Sequence, residues 1–389
     1  MNRRTIITGI MTVAILTGLT VFALTHKKNT APNNDSDQEI LIADISEVNI
    51  DTETTEIENS SDTVAEEKEE KGAKSLTDKI LYQQAFEEMT KMLTGRIPID
   101  FKRAVFLTEN AFHNGQLDYN EFSNTITVTG QKLKNLIKER GLQKYKTSGN
   151  WAVFTYMTDS LSINNFQPYS YDFDDFMGEK DWTKMFVTKL MKTKSGNCHS
   201  MPYYYKILAT EIGAEAYLAL APNHVYIKHK DENGQWTNLE LTNGGFPRDQ
   251  WIIKQMAISV EAIKNEIYMN PLSEKESIAM CLFDLAAAYE QQYGHDEFEL
   301  KVIETGLKYF PKCMPLLMAK ANHYREIGMK ALKAPNADEA FLKENHRKFT
   351  EANILIDDLG HKDMPIELYE EWVKSVDEEK NKRGYSNTK

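Results

Sequence analysis

From Ser75 onward the apolar residues fall at helical spacing, and glycines punctuate the pattern. "SLTDKILYQQAFEEMTKMLTG" opens on a cap-like Ser75 or Thr77 and stops at Gly95. "DFKRAVFLTENAFHNG" stops at Gly115 and "EFSNTITVTGQKLKNLIKERG" at Gly141, which makes residues 75–145 a helical lead-in. "NWAVFTYMTDSL" continues as helix, and a polar, aromatic loop follows around "NNFQPYSYDFDDF" (Asn164–Phe176). "DWTKMFVTKLMKTKSG" then predicts a further helix leading to Gly196. After Gly213 the texture changes. "AEAYLALAP" (Ala214–Pro222), "HVYIKHKD" (His224–Asp231) and "WTNLELT" (Trp236–Thr242) predict three strands, the last two joined by a hairpin turn at "DENG" (Asp231–Gly234). Helices followed by a short meander of strands define an α+β class.

Beyond Pro271 the helical period returns. Leu282, Ala286 and Tyr289 recur 35 residues later as Leu317, Ala321 and Tyr324, with Pro311 between the two units. That period is close to the tetratricopeptide repeat, in which paired helices stack through small and aromatic positions. Residues 337–376 supply a longer irregular pair, with "NADEA" (Asn336–Ala340) as a helix start. The organisation predicted is an N-terminal segment over 1–28, a tether over 29–74, a helical lead-in with an α+β core over 75–272, and a repeat-like helical domain over 273–389.

The first of these segments carries no charge from Thr5 to Thr25, between "MNRR" and "HKK". Such a length suits a membrane-spanning helix. We favour an uncleaved anchor over a signal peptide, for which Val21-Phe22-Ala23 is a passable cleavage site. The expected topology is a single N-terminal membrane contact with the rest of the chain exported, or secreted if cleavage occurs. Residues 29–72 hold fourteen acids against two lysines, a balance of −12, and lack Phe, Trp and Tyr. They are predicted to be a disordered, extended tether. Because the first 28 residues carry +4, only −4 of the net −12 falls on residues 73–389. The folded part has no basic excess, so nucleic acid is not an expected partner.

The candidate chemistry centres on "KTKSGNCHSMPYYYKILATEIG" (Lys192–Gly213). Three cysteines in an exported chain cannot all pair with one another, and Cys281 and Cys313 lie in helical patterns where small buried thiols are common. Cys198 is different. Pro202 is tolerated only in a first helical turn, so a helix must begin near Cys198, which places the thiol where free backbone N–H groups favour an anion. The same groups suit an oxyanion. A thiolate nucleophile needs a base, and the base needs an orienting group. His224 opens the second strand, and the hairpin returns Glu240 beside it, with position 224 opposite roughly 241. Alternation puts Trp236, Asn238 and Glu240 on one face, so Asn238 is the fallback orienter. Asn197 offers either an auxiliary oxyanion donor or a helix cap. Cys198, His199 and His224 lack the paired spacing of a zinc site, and no metal or cofactor is implied. The aromatic run Tyr169, Tyr171, Phe173 and Phe176 lines a substrate cleft or packs within its own loop.

"SGNCHSMPYYYKILATEIG", "APNHVYIKH" and "GQWTNLELT" together resemble the transglutaminase-like superfamily, with its Gly-x-Cys element, a strand opening on His and an acidic third strand. The added C-terminal repeats make the chain similar to the bacterial SirB family of transglutaminase-like proteins. The resemblance covers about residues 150–250 and implies Cys198 as nucleophile, His224 as base and Glu240 as the acidic third member. It departs from the family where Glu240 replaces the usual aspartate and Leu241 the usual proline. The implied activity is cysteine acyl transfer on a peptide or protein substrate, by peptidase, amidase or crosslinking chemistry. The alternative is a non-catalytic fold of the same kind, acting as a scaffold or regulator whose repeats bind a protein partner.

Overall fold

The computed structural model describes residues 64–382, and the predicted membrane segment and most of the predicted tether lie outside the described residues. Among the described residues no helix is long and apolar enough to cross a membrane. The described residues form a helix-rich α+β protein with two small sheets, and residues 78–382 lie in a single compact unit.

The first helix among the described residues, α1 (Val64–Leu93), begins before the cap expected at Ser75. Residues 65–71, "AEEKEEK", are nearly all strong helix formers, which carries the helix back into the acidic stretch. Next come α2 (Phe101–Phe112), capped by the Asp100 side chain, α3 (Tyr119–Glu139), capped by Asp118, and α4 (Ser148–Thr158).

The single helix expected between Asp181 and Gly196 is broken. A 3₁₀ turn at Trp182–Met185 is followed by a short helix, α5 (Val187–Thr193), with Phe186 extended between them. Glu109 of α2 causes the break. Its buried carboxylate accepts from the backbone N–H groups of Val187 at 2.6 Å and Thr188 at 2.9 Å, and so caps α5 from outside the segment. Burial holds this carboxyl up at about 7, against the hydrogen bonds from Thr188 and Val187, which act to lower it.

The expected loop at Asn164–Phe176 contains a two-residue strand, β1 (Ser170–Tyr171), pairing in parallel with β2 (Ser195–Gly196). Helix α6 (Ser200–Ile212) follows β2 and ends on Gly213 at φ 80°. The three predicted strands are present as β3 (Tyr217–Ala221), β4 (His224–Lys230) and β5 (Trp236–Leu239), in one antiparallel sheet of order β3-β4-β5. Short helices α7 (Asp249–Gln255) and α8 (Val260–Lys264) lead to the C-terminal helices.

These are α9 (Glu274–Tyr293), α10 (Glu297–Tyr309), α11 (Met314–Leu332), α12 (Glu339–Asp358) and α13 (Ile366–Lys382). Successive members from α9 to α12 pack on one another, and α9 also packs on α2. Leu282, Ala286, Tyr289 and their counterparts 35 residues on are all buried. The α9 face reaches into the lead-in, where the Tyr82 ring meets Tyr289 edge-on at 5.3 Å and its hydroxyl donates to the Ala288 carbonyl at 3.2 Å.

Candidate active site

Gly196 fixes the approach to the cysteine. A Cβ there would stand 2.6 Å from both Leu190 Cδ1 and Ser200 Oγ, so only glycine lets β2 pass between α5 and α6. β1 holds this segment from the other side, through Ser170 N–H to the Lys194 carbonyl at 2.8 Å and Asp172 N–H to the Gly196 carbonyl at 2.7 Å.

Cys198 lies in the turn just before α6 and is partly exposed, whereas Cys281 and Cys313 are buried; all three are free thiols. Asn197 is a cap and not an oxyanion donor. Its Oδ1 accepts from the backbone N–H groups of His199 at 3.0 Å and Ser200 at 3.1 Å. Its amide nitrogen meets the Phe176 carbonyl and Met185 Sδ, each at 3.0 Å. The first N–H groups of α6 are thereby taken. Among the described residues none accepts from the Cys198 backbone N–H, which leaves it as the donor available to an oxyanion.

His224 is placed by the two-residue turn Pro222–Asn223. Proline fixes the first turn position and Asn223 takes φ 54°, so Ala221 pairs directly with His224 and the imidazole opens β4. The β4–β5 register pairs Ile227 with Leu239, which is one residue off the sequence expectation because the loop spans 231–235. Its anchor is the Asp231 side chain, which accepts from Asn233 and Gln235 N–H, each at 2.8 Å. By that register Glu240 stands opposite Tyr226 and diagonal to His224 on the same face.

The longer side chain spans the diagonal. Glu240 Oε2 accepts from His224 Nε2 at 2.5 Å, while Oε1 accepts from the Thr242 N–H at 3.0 Å and the Thr242 hydroxyl at 2.8 Å. With Nε2 engaged, Nδ1 is the ring nitrogen left for Cys198, whose sulfur is within hydrogen-bonding reach of the imidazole. The three groups predicted from the sequence are therefore together, in the order thiol, imidazole, carboxylate.

Electrostatics favour a charged imidazole. Burial opposes the charge on His224, but the Glu240 carboxylate and the Cys198 sulfur outweigh it and hold the group well above the usual histidine range. Burial likewise opposes the Glu240 charge, and the His224 charge and hydrogen bond with those of Thr242 bring the carboxyl below its ordinary value.

Asn238 is not at this site. Its amide donates to the Pro247 carbonyl at 3.0 Å and Asp249 Oδ1 at 2.7 Å, and it pairs with Lys228 two positions along the sheet. The fallback orienter is thus excluded by register. His199 also points away from a shared metal site, with Nε2 on Asp284 of α9 at 2.8 Å and Nδ1 on the Met185 carbonyl at 3.0 Å. Burial works against its charge, but Asp284 and then Met185 raise it to about 9, which places a second imidazolium beside Cys198.

Of the aromatic run, Tyr169 is packed among Tyr156 and Tyr204, whereas Tyr171 stacks on Phe176 and approaches Cys198 and Glu240. Burial first, then those two neighbours, hold Tyr171 well above the ordinary tyrosine range, so its hydroxyl stays neutral. The sequence named Tyr171 among the cleft aromatics, but only the β1–β2 pairing sets it against Gly196, two residues before Cys198.

A helix-end thiol, an imidazole and a carboxylate on adjoining elements of an α+β fold define a cysteine–histidine–carboxylate constellation. No protein-family model, curated protein or solved structure matches this chain.

Proposed function

We propose that the protein is an exported, membrane-anchored cysteine acyl-transfer enzyme of the transglutaminase-like kind, acting on peptide or protein amides. The observation that carries this reading is His224, whose Nε2 is fixed by Glu240 at 2.5 Å while its remaining ring nitrogen is left for Cys198. The Cys198 thiolate attacks the amide carbonyl, and the negative oxygen forms against the Cys198 backbone N–H at the head of α6. His224 then gives its proton to the leaving amine, so that the C–N bond breaks and a thioester remains. Water or a second amine, deprotonated by His224, attacks the thioester and returns the thiol. Glu240 keeps the imidazole oriented throughout without itself reacting. Helices α9 to α12 are tetratricopeptide-like in this reading, and the buried 35-residue recurrence supports it.

The test is labelling by an electrophilic acyl-transfer probe. Wild-type protein labels at Cys198, Cys198→Ala does not, and His224→Ala labels slower by about 10²-fold or more. Labelling that is slow and indifferent to loss of His224 sinks the catalytic reading and leaves the scaffold.

A further inference from the structure

Away from the cysteine, a second group of side chains converges where α9, α10 and α11 meet. Glu299 stands in the first turn of α10 with its side chain 1% exposed, and both its oxygens face imidazoles. His295 Nδ1 lies 3.0 Å from each oxygen, and His323 Nδ1 from α11 lies 2.7 Å from Oε2. One donor atom from each residue falls within a 4.8 Å cluster. Donors around a tetrahedral zinc ion sit about 3.3 Å apart, a spacing between the 2.7 and 3.0 Å nitrogen–oxygen separations and the 4.8 Å limit of this cluster.

The outer ring of the cluster points the same way. Histidine ligands give their second ring N–H to a carboxylate, which fixes the tautomer. His295 presents its far nitrogen, Nε2, to Glu290 Oε1 at 3.5 Å. The scaffold is rigid. Asp296 caps α10 by accepting from Phe298 N–H at 2.9 Å and Glu299 N–H at 3.2 Å, and its other oxygen takes the Tyr289 hydroxyl at 2.5 Å and Lys79 at 3.2 Å. Two neutral imidazoles with one carboxylate form a donor set that selects zinc over calcium or magnesium.

We propose that His295, Glu299 and His323 bind one zinc ion through His295 Nδ1, His323 Nδ1 and the Glu299 carboxylate, with Glu290 as the outer partner of His295 and a fourth position for water. No metal spacing is visible along the chain because one ligand comes from a helix 24 residues beyond Glu299. The ion ties the start of α10 to α11, and so locks the first repeat-like pair to the second. This site is independent of the chemistry at Cys198.

The experiment uses the full chain as Cys198→Ser, so that the reactive thiol cannot capture metal. Zinc at a hundredfold over its Kd raises Tm by about 5 °C, and elemental analysis finds one zinc per chain. His323→Gln and His295→Gln lose both the bound metal and the shift. Cobalt supplies a measurement that does not depend on those variants folding, because tetrahedral ligation by the unsubstituted cluster gives intense visible absorption. Absence of stoichiometric zinc, a weak octahedral cobalt spectrum, or zinc retained by both histidine variants overturns the proposal.

Discussion

The side chain at position 240 must bridge from the end of β5 to an imidazole that is diagonal to it, not directly opposite. Diagonal neighbours on a sheet are about 7–8 Å apart, within reach of a long side chain. The glutamate therefore matches this register, and its extra methylene does not loosen the contact. Glu240→Asp is expected to slow probe labelling of Cys198 by about tenfold or more, as Glu240→Gln does, while Asn238→Ala leaves the rate unchanged. The pair also sets a stability window. Glu240 is depressed, so its contribution is present above its unfolded value of 4.5 and is lost as pH falls through the lower folded value. His224 is raised, so its contribution is complete below 6.5 and is lost as pH rises through the folded value. The stability gap between wild type and Glu240→Gln, read by urea unfolding, will be widest between pH 4.5 and 6.5. A gap that does not change with pH means that the pair carries no charge. At Gly196 an added methyl has no room, and Gly196→Ala is expected to cost about 1–3 kcal/mol by the same measurement. Cys198, His224 and Glu240 were readable because a proline, a strand start and a hairpin each limit where a residue can stand. Asn197 was ambiguous because an amide can cap or donate, and only its partners decide.

Among elements, α5 shows what local pattern misses. Its apolar spacing runs unbroken from Trp182 to Leu190, yet the chain turns extended at Phe186 because a carboxylate from α2 supplies the cap. A partner 78 positions away leaves no local trace. The same holds for β1 and β2, each two residues long, which are too short for any alternation to register. By contrast β3 to β5 were legible, because one sheet face gathers Leu218, Leu220, Val225, Ile227 and Leu239 and the turns carry Pro–Asn and Asn–Gly signals. The Glu109 cap has a measurable consequence. Its folded value of about 7 lies above the unfolded 4.5, so the stability it confers is complete below 4.5 and is lost as pH rises toward 7. Wild type should lose on the order of 3 kcal/mol across that interval from this group. Glu109→Gln removes that component, so its stability should fall less over the same pH range. Parallel pH profiles for the two proteins would show that the buried carboxyl is not protonated in the fold.

For the whole molecule, the question is whether the C-terminal helices are an appendage or part of the core that holds the cysteine. The 35-residue recurrence made them readable as a separate repeat-like domain beginning at 273, because periodicity reports which face of a helix is buried but not against what. In the structure α9 lies between the lead-in and α10. Ile278, Met280, Leu282 and Leu285 are each at most 1% exposed. Lys206 of α6, itself 1% exposed, pairs with Glu274 at 2.7 Å, and Asp284 holds His199 beside Cys198. Burying side chains of this size is worth about 1.5–3 kcal/mol each. Losing even half of that group, together with the counter-ion of a buried lysine, approaches the 5–15 kcal/mol that typically keeps a domain folded. A chain ending at Leu272 should therefore lack a cooperative urea transition and show no selective labelling of Cys198. Asp284→Asn in the full chain separates the two roles of α9, because it keeps the packing and removes the charge beside His199. That variant should unfold cooperatively, and it should lose stability relative to wild type most below pH 6.5, with the difference fading as pH rises through about 9. A Leu272-terminated chain that folds and labels normally would make the repeats a true appendage and would detach the site from α9.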